Sequence, residues 1–68
     1  MDTRTVTVTK TGDRFALSFS ALPGRSFGSW DFPETVGQLR VAALLSPVEA
    51  RDLVMDAAVN GSATRSYV

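Results

Sequence analysis

Few side chains in this 68-residue sequence are equipped for chemistry. Glu49, Asp52 and Asp56 recur at intervals of three and four, which places them on one face of a helix. Such a face could hold a hard cation, Mg²⁺ or Ca²⁺, through one or two carboxylates and water. A cation site normally draws ligands from other segments as well, so the favoured reading is a solvated acidic face whose first turn complements the helix dipole. Gly24 and Gly28 in "GRSFGS" suggest a phosphate cradle, but a P-loop runs on into Lys-Ser/Thr and a helix start, and neither follows. The stretch reads as a turn-rich connector in which Arg25 alone could touch an anion. Nucleophilic catalysis lacks its parts. There is no cysteine, and no histidine to activate a serine. The same two absences remove the ligands of an ordinary zinc site. Lys10, the only lysine, flanks a turn, and Tyr67 stands near the chain end. The expectation is no catalytic residue, no metal and no cofactor.

Binding chemistry has more material. Arg4, Lys10 and Arg14 sit on one predicted hairpin, and Phe27, Trp30 and Phe32 could stack on bases. A nucleic-acid contact through that hairpin is therefore a reading to test, although the charge excess behind it is small. Residues 1–30 carry Arg4, Lys10, Arg14 and Arg25 against Asp2 and Asp13, and the acidic remainder brings the formal net charge to zero. A strongly basic footprint is missing. Ser66-Tyr67-Val68 resembles a carboxy-terminal peptide ligand, and Asn60-Gly61-Ser62 matches a glycosylation acceptor. Both matches are short enough to read as chance.

The elements that must position these residues are partly legible. "VTVTKTGDRFALSF", residues 6–19, alternates around Gly12-Asp13. With Gly12-Asp13 as a two-residue loop, Thr11 faces Arg14, Val8 faces Leu17 and Val6 faces Phe19. Glycine at the first loop position suits a type II′ turn. Strands are expected near 3–11 and 14–22, making a hairpin over 3–22. One face carries the apolar residues, and the other carries Thr5, Thr7, Thr9, Arg14 and Ser18. Residues 23–29 read as a loop, followed by Trp30 and Phe32 on one parity, in a short strand or an anchored loop. Residues 34–45 are ambiguous. Asp31 with Glu34 offers a helix cap, but the helical wheel shows no apolar stripe, and alternation from Gln38 favours a strand over 38–45.

The helix at 46–60 is the clearest element. Ser46 is its N-cap, Pro47 its first residue and Glu49 the partner in a capping box, while Asn60-Gly61 supplies the stop. Ala50, Leu53, Val54 and Ala57 form its core stripe. Residues 62–68 read as a tail or a short edge strand. The fold expected is α+β: a small antiparallel β-meander, the hairpin 3–22 plus one or two further strands with 38–45 favoured, packed against one C-terminal helix, 46–60. The alternative is a β-hairpin plus two helices. A chain of this length is one domain, 1–68, with a thin stability margin that neither disulfide nor zinc supplements. No stretch of 18 apolar residues spans a membrane and no signal peptide is evident, so the expectation is a cytoplasmic protein with no membrane partner.

By elimination, the function expected is that of a non-catalytic protein-binding module. It would be a stoichiometric binder or inhibitor of a larger macromolecular partner, of the anti-defence, anti-CRISPR-like kind that phages and mobile elements encode. Its expected contact residues are Trp30, Phe32, Val48, Arg51, Met55 and Val59, because aromatics, methionine and arginine dominate interface energetics. Trp30 could instead cover Val48, Met55 and Val59 as a lid. The Thr5, Thr7, Thr9, Arg14 and Ser18 face is a secondary surface. A homodimer is a further expectation, and the alternative function is a small nucleic-acid-contacting or antitoxin-type regulator using the Arg/Lys-bearing hairpin.

Overall fold

The computed structural model describes residues 4–67; Thr3, where the first strand was expected to begin, and Val68 lie outside them. The element order is β1 (Arg4–Thr11), β2 (Arg14–Phe19), β3 (Ser26–Trp30), α1 (Phe32–Ala42), α2 (Pro47–Asn60) and β4 (Ser62–Tyr67). The four strands form one antiparallel sheet in the order β3-β2-β1-β4. Both helices pack on the same face, so the molecule is two layers thick.

The hairpin has the register its alternation predicts: Val6 pairs with Phe19, Val8 with Leu17 and Thr11 with Arg14. Gly12 takes φ 64°, a conformation that costs a residue with a Cβ and suits the first position of the turn. Val6, Val8, Phe15 and Leu17 face the helices and are buried. Each contributes on the order of 1.5–3 kcal/mol through burial. β2 ends at Phe19, short of the expected 22, and Ser20–Gly24 turn the chain into β3.

Two expectations need correction. Residues 38–45 are not a strand, because Phe32–Ala42 is an α-helix; the architecture with two helices is the one observed, within a four-stranded sheet. The cap is the predicted one: the Asp31 carboxylate accepts from the Glu34 N–H at 3.0 Å. The apolar stripe escapes a helical wheel because one of its members is a threonine. Phe32, Thr35, Val36, Leu39 and Ala43 share the inward face, and Thr35 is fully buried with its hydroxyl donating to the Asp31 carbonyl at 2.6 Å. That bond satisfies the polar group, so the position works as core. Val41, which strengthens the alternating pattern, is 77% exposed. The second correction concerns residues 23–29, which are not all loop, since Ser26–Trp30 form a strand.

The α2 helix follows its signals. Ser46 and Glu49 make the reciprocal capping box, Pro47 starts the helix, and the Gly61 N–H caps it on the Ala57 carbonyl. Its buried residues are Ala50, Leu53, Val54 and Ala57. Between the helices, Leu44 takes φ 55°, a left-handed conformation usually given to glycine after a helix, and leaves its side chain 78% exposed. The chain then returns as β4 alongside β1, from Ser62 opposite Thr9 to Tyr67 opposite Arg4.

Candidate functional site

The helical layer covers the sheet unevenly. α2 lies over β1 and β4, while α1 packs on α2 and on β2. The inner face around the end of β2 and along β3 therefore stays open, and a trough of about 530 Å³ forms there. Its walls include Phe19, Phe27, Trp30 and Tyr67, with Leu22 at the turn and Gln38 from α1.

A bulge builds the aromatic wall. Phe15 pairs with Trp30, but Leu17 pairs with Phe27, so β3 spends three residues where β2 spends two. The extra residue brings Phe27 and Trp30 to the same face, where strict alternation would separate them. Gly28 makes this feasible in two ways. Its φ is 82°, and the indole of Trp30 lies so close over its Cα that a Cβ would overlap the ring. The remaining rings interlock edge to face: Phe19 with Phe27 at 6.0 Å, and Phe19 with Tyr67 also at 6.0 Å. Such pairs hold each other's orientation and add about 0.5–1.5 kcal/mol each. Among the described residues, the lining contains no carboxylate, ammonium or guanidinium group. Apolar area with a carboxamide, a phenol and an indole N–H suits an uncharged, largely apolar ligand surface.

The six expected contact residues fall on two parts of the surface. Trp30 belongs to the trough. Phe32, Val48 and Arg51 meet with Pro33, Val36 and Pro47 in a shallow cleft of about 390 Å³ between the two helix N-termini. Phe32 leans edge-on against Phe15 at 6.2 Å. Val48, Met55 and Val59 follow one line on the outer side of α2, 60%, 50% and 83% exposed. Trp30 does not line the cleft at Val48, and the stripe lies bare.

Thr5, Thr7, Thr9, Arg14 and Ser18 share the sheet face opposite the helices, as the hairpin's parity requires. Arg14 donates across to the Ser29 carbonyl at 3.3 Å. β4 extends this hydroxyl-rich face, and the Thr7 and Thr64 hydroxyls hydrogen-bond at 2.8 Å.

Sequence reasoning missed Phe19, Phe27, Leu22 and Tyr67 as trough residues. Tyr67 reaches Phe19 only because β4 pairs with the other side of β1, a long-range event that no local pattern announces. The signal available was the six-residue run Ser62–Tyr67, which is free of proline and glycine and fits an added strand.

On the acidic helix face, Glu49 is engaged within the fold. The Glu49 carboxylate accepts from the Ser46 N–H at 3.1 Å and from Arg65 Nη2 at 2.7 Å. The hydrogen bonds from Ser46, then that from Arg65, hold its pKa below the ordinary carboxylate value. Among the described residues, no three acidic side chains gather into a metal-binding group. No helix of the described residues is long and apolar enough to cross a membrane. No family model, curated protein or solved structure matches the chain.

Proposed function

We propose that the protein is a non-catalytic binding module that seats an apolar segment of a protein partner in the trough, with Trp30 as the central anchor. The observation that carries this reading is the uncovered aromatic wall of Phe19, Phe27, Trp30 and Tyr67. A small domain with little apolar area to spare leaves these rings partly in contact with water. Large aromatics in an open, preformed concavity are what interface hot spots are made of. The bulge and the Gly28 seat hold the indole in place before a partner arrives, which lowers the ordering cost of binding. Stoichiometric occupation of a surface on a larger protein, as an inhibitor does, follows from a domain that binds and carries no catalytic constellation at this site.

The nucleic-acid alternative draws less support from the geometry. Arg4 and Lys10 share the parity of Val6 and Val8, whereas Arg14 lies on the opposite face, so the hairpin's cations do not line one surface. Of the candidate base-stacking rings, Phe27 and Trp30 stand in the trough and Phe32 packs on Phe15, away from Arg14.

The test compares affinity capture from lysate by the wild-type chain and by two variants. Leu22→Asp places a charge at the trough's exposed rim, and Thr9→Asp places the same charge on the far sheet face. A partner that the wild type and Thr9→Asp retain and Leu22→Asp loses supports the reading. Titrating that purified partner should shift the emission of Trp30, the only tryptophan. Equal capture by all three chains, or emission that does not move on binding, refutes the trough as the site.

A further inference from the structure

We infer that the free edge of β4 is a pairing edge for a second copy of this chain, giving an antiparallel β4–β4′ ladder and a continuous eight-stranded sheet. The edge shares only Tyr67 with the trough, and the inference does not rest on the binding function proposed above.

The hydrogen-bond phase along the sheet identifies the open groups. The Lys10 N–H donates to the Gly61 carbonyl at 2.8 Å, which sets the phase of the β1–β4 ladder. Antiparallel alternation then turns the backbone groups of Ala63, Arg65 and Tyr67 toward β1 and those of Ser62, Thr64 and Ser66 outward. Three N–H and three C=O groups thus form a regular row with no strand paired to it among the described residues. A two-fold axis through Thr64 sets Thr64 opposite its own copy and Ser62 opposite the partner's Ser66. The same three residues serve both copies, so the contact closes on itself as an isologous dimer.

The two edges of the sheet are not equivalent. β3 has a bulge, a glycine at positive φ and only five residues, which are the features that keep an edge from pairing. β4 has none of them. Its six residues pair with β1 in unbroken register. Lysine or another free charge is the usual edge guard. The one charge on β4, Arg65, points to the helix side and is matched by Glu49 in its own chain at 2.7 Å. Under the two-fold, Arg65 falls opposite the partner's Ala63, so no like charges meet. The chain's formal net charge of zero leaves no long-range repulsion between copies.

Apolar area at the same rim extends the contact beyond the backbone ladder. Leu44 lies beside Ser66 and Tyr67 and is 78% exposed in a conformation that disfavours leucine. A six-residue ladder with one leucine per copy is a small interface, so a weak, concentration-dependent monomer–dimer equilibrium is expected.

Sedimentation over a concentration series, joined to amide hydrogen exchange, tests this. The expected result is a dimer at high concentration, with exchange at the Ser62, Thr64 and Ser66 N–H groups slowing as it forms, while Ala63 and Arg65 stay protected throughout. Thr64→Lys should shift the equilibrium at least tenfold toward monomer. Thr9→Lys, on the open face but off the edge, and Met55→Glu, on the outer stripe of α2, should leave it unchanged. A wild-type chain that is monomeric up to about 1 mM overturns the inference, as does a dimer abolished by Thr9→Lys or Met55→Glu and untouched by Thr64→Lys. Concentration-independent exchange at Ser62, Thr64 and Ser66 overturns it without any variant. Leu22→Asp, which tests the trough, should still dimerise.

Discussion

The two halves of the sheet meet the helical layer on different terms. Over β1 and β4, α2 lies close, and its contact side is built from small residues, Ala50, Val54 and Ala57, with Leu53. These let the helix approach until Val6 and Val8 are fully buried. Over the end of β2 and along β3 the helical layer reaches only the trough's wall, through Gln38 and Ala42 of α1, and the residues facing it are Phe19, Phe27 and Trp30. Small side chains stand where the layers close and large rings where they stay apart. One half spends its apolar residues on cohesion, and the other keeps them as a surface.

The contrast predicts opposite responses to the same truncation. Leu53→Ala removes a buried side chain from the closed half and should cost about 2–5 kcal/mol, enough to unfold a large share of so small a domain. Leu22→Ala removes a half-exposed side chain at the trough's rim and should change stability by less than about 0.5 kcal/mol while weakening partner capture. Urea denaturation of both variants checks it. A Leu22→Ala loss as large as that of Leu53→Ala would erase the distinction and make the trough part of the core.

An intermediate effect is expected at Gly28, where the open half is itself built with precision. Gly28→Ala forces a Cβ into the Trp30 ring at φ 82° and should cost about 1–3 kcal/mol. The displaced indole should become more solvated, so its emission should move to longer wavelength in the native state. Unchanged emission would show that Trp30 does not depend on this seat, and the trough would lose its preformed anchor.

What the amino-acid pattern disclosed follows the same division. The closed half rests on local signals: a two-residue turn that sets the hairpin register, and a Ser-Pro-x-Glu start that sets α2. Both act over a few residues, and both can be read by eye. The open half depends on exceptions to periodicity. Thr35 occupies a core position that a hydrophobic wheel counts as polar, and so α1 looks like a strand. The extra residue in β3 brings Trp30 onto the face of Phe27, while Phe32, which shares the parity of Trp30, starts α1 instead of continuing the strand. Tyr67 joins the trough through β4, whose partner strand lies at the other end of the chain. Trp30 is visible as a candidate anchor from its type alone, but its neighbours come from topology.

The smallest predicted effect is electrostatic and belongs to the closed half. Glu49 ties α2 to β4 through Arg65 and caps its own helix through Ser46. Folding lowers its pKa, so the folded state favours the ionised carboxylate more than the unfolded chain does. The resulting stability is fully present above the unfolded value, about 4.3, and is lost as pH falls through the lowered folded value. Glu49→Gln separates this charge from the cap, because glutamine can still accept from the Ser46 N–H in a capping box. The variant should melt slightly below wild type at pH 7, and the gap should close as the medium is acidified below about 4.3. Added salt should narrow the gap at pH 7, since both partners are two-fifths or more exposed, at 41% and 44%. A gap that persists unchanged into acid would assign the role of Glu49 to packing and hydrogen bonding. The closed half would then be held without help from charge, by the close approach of α2 alone.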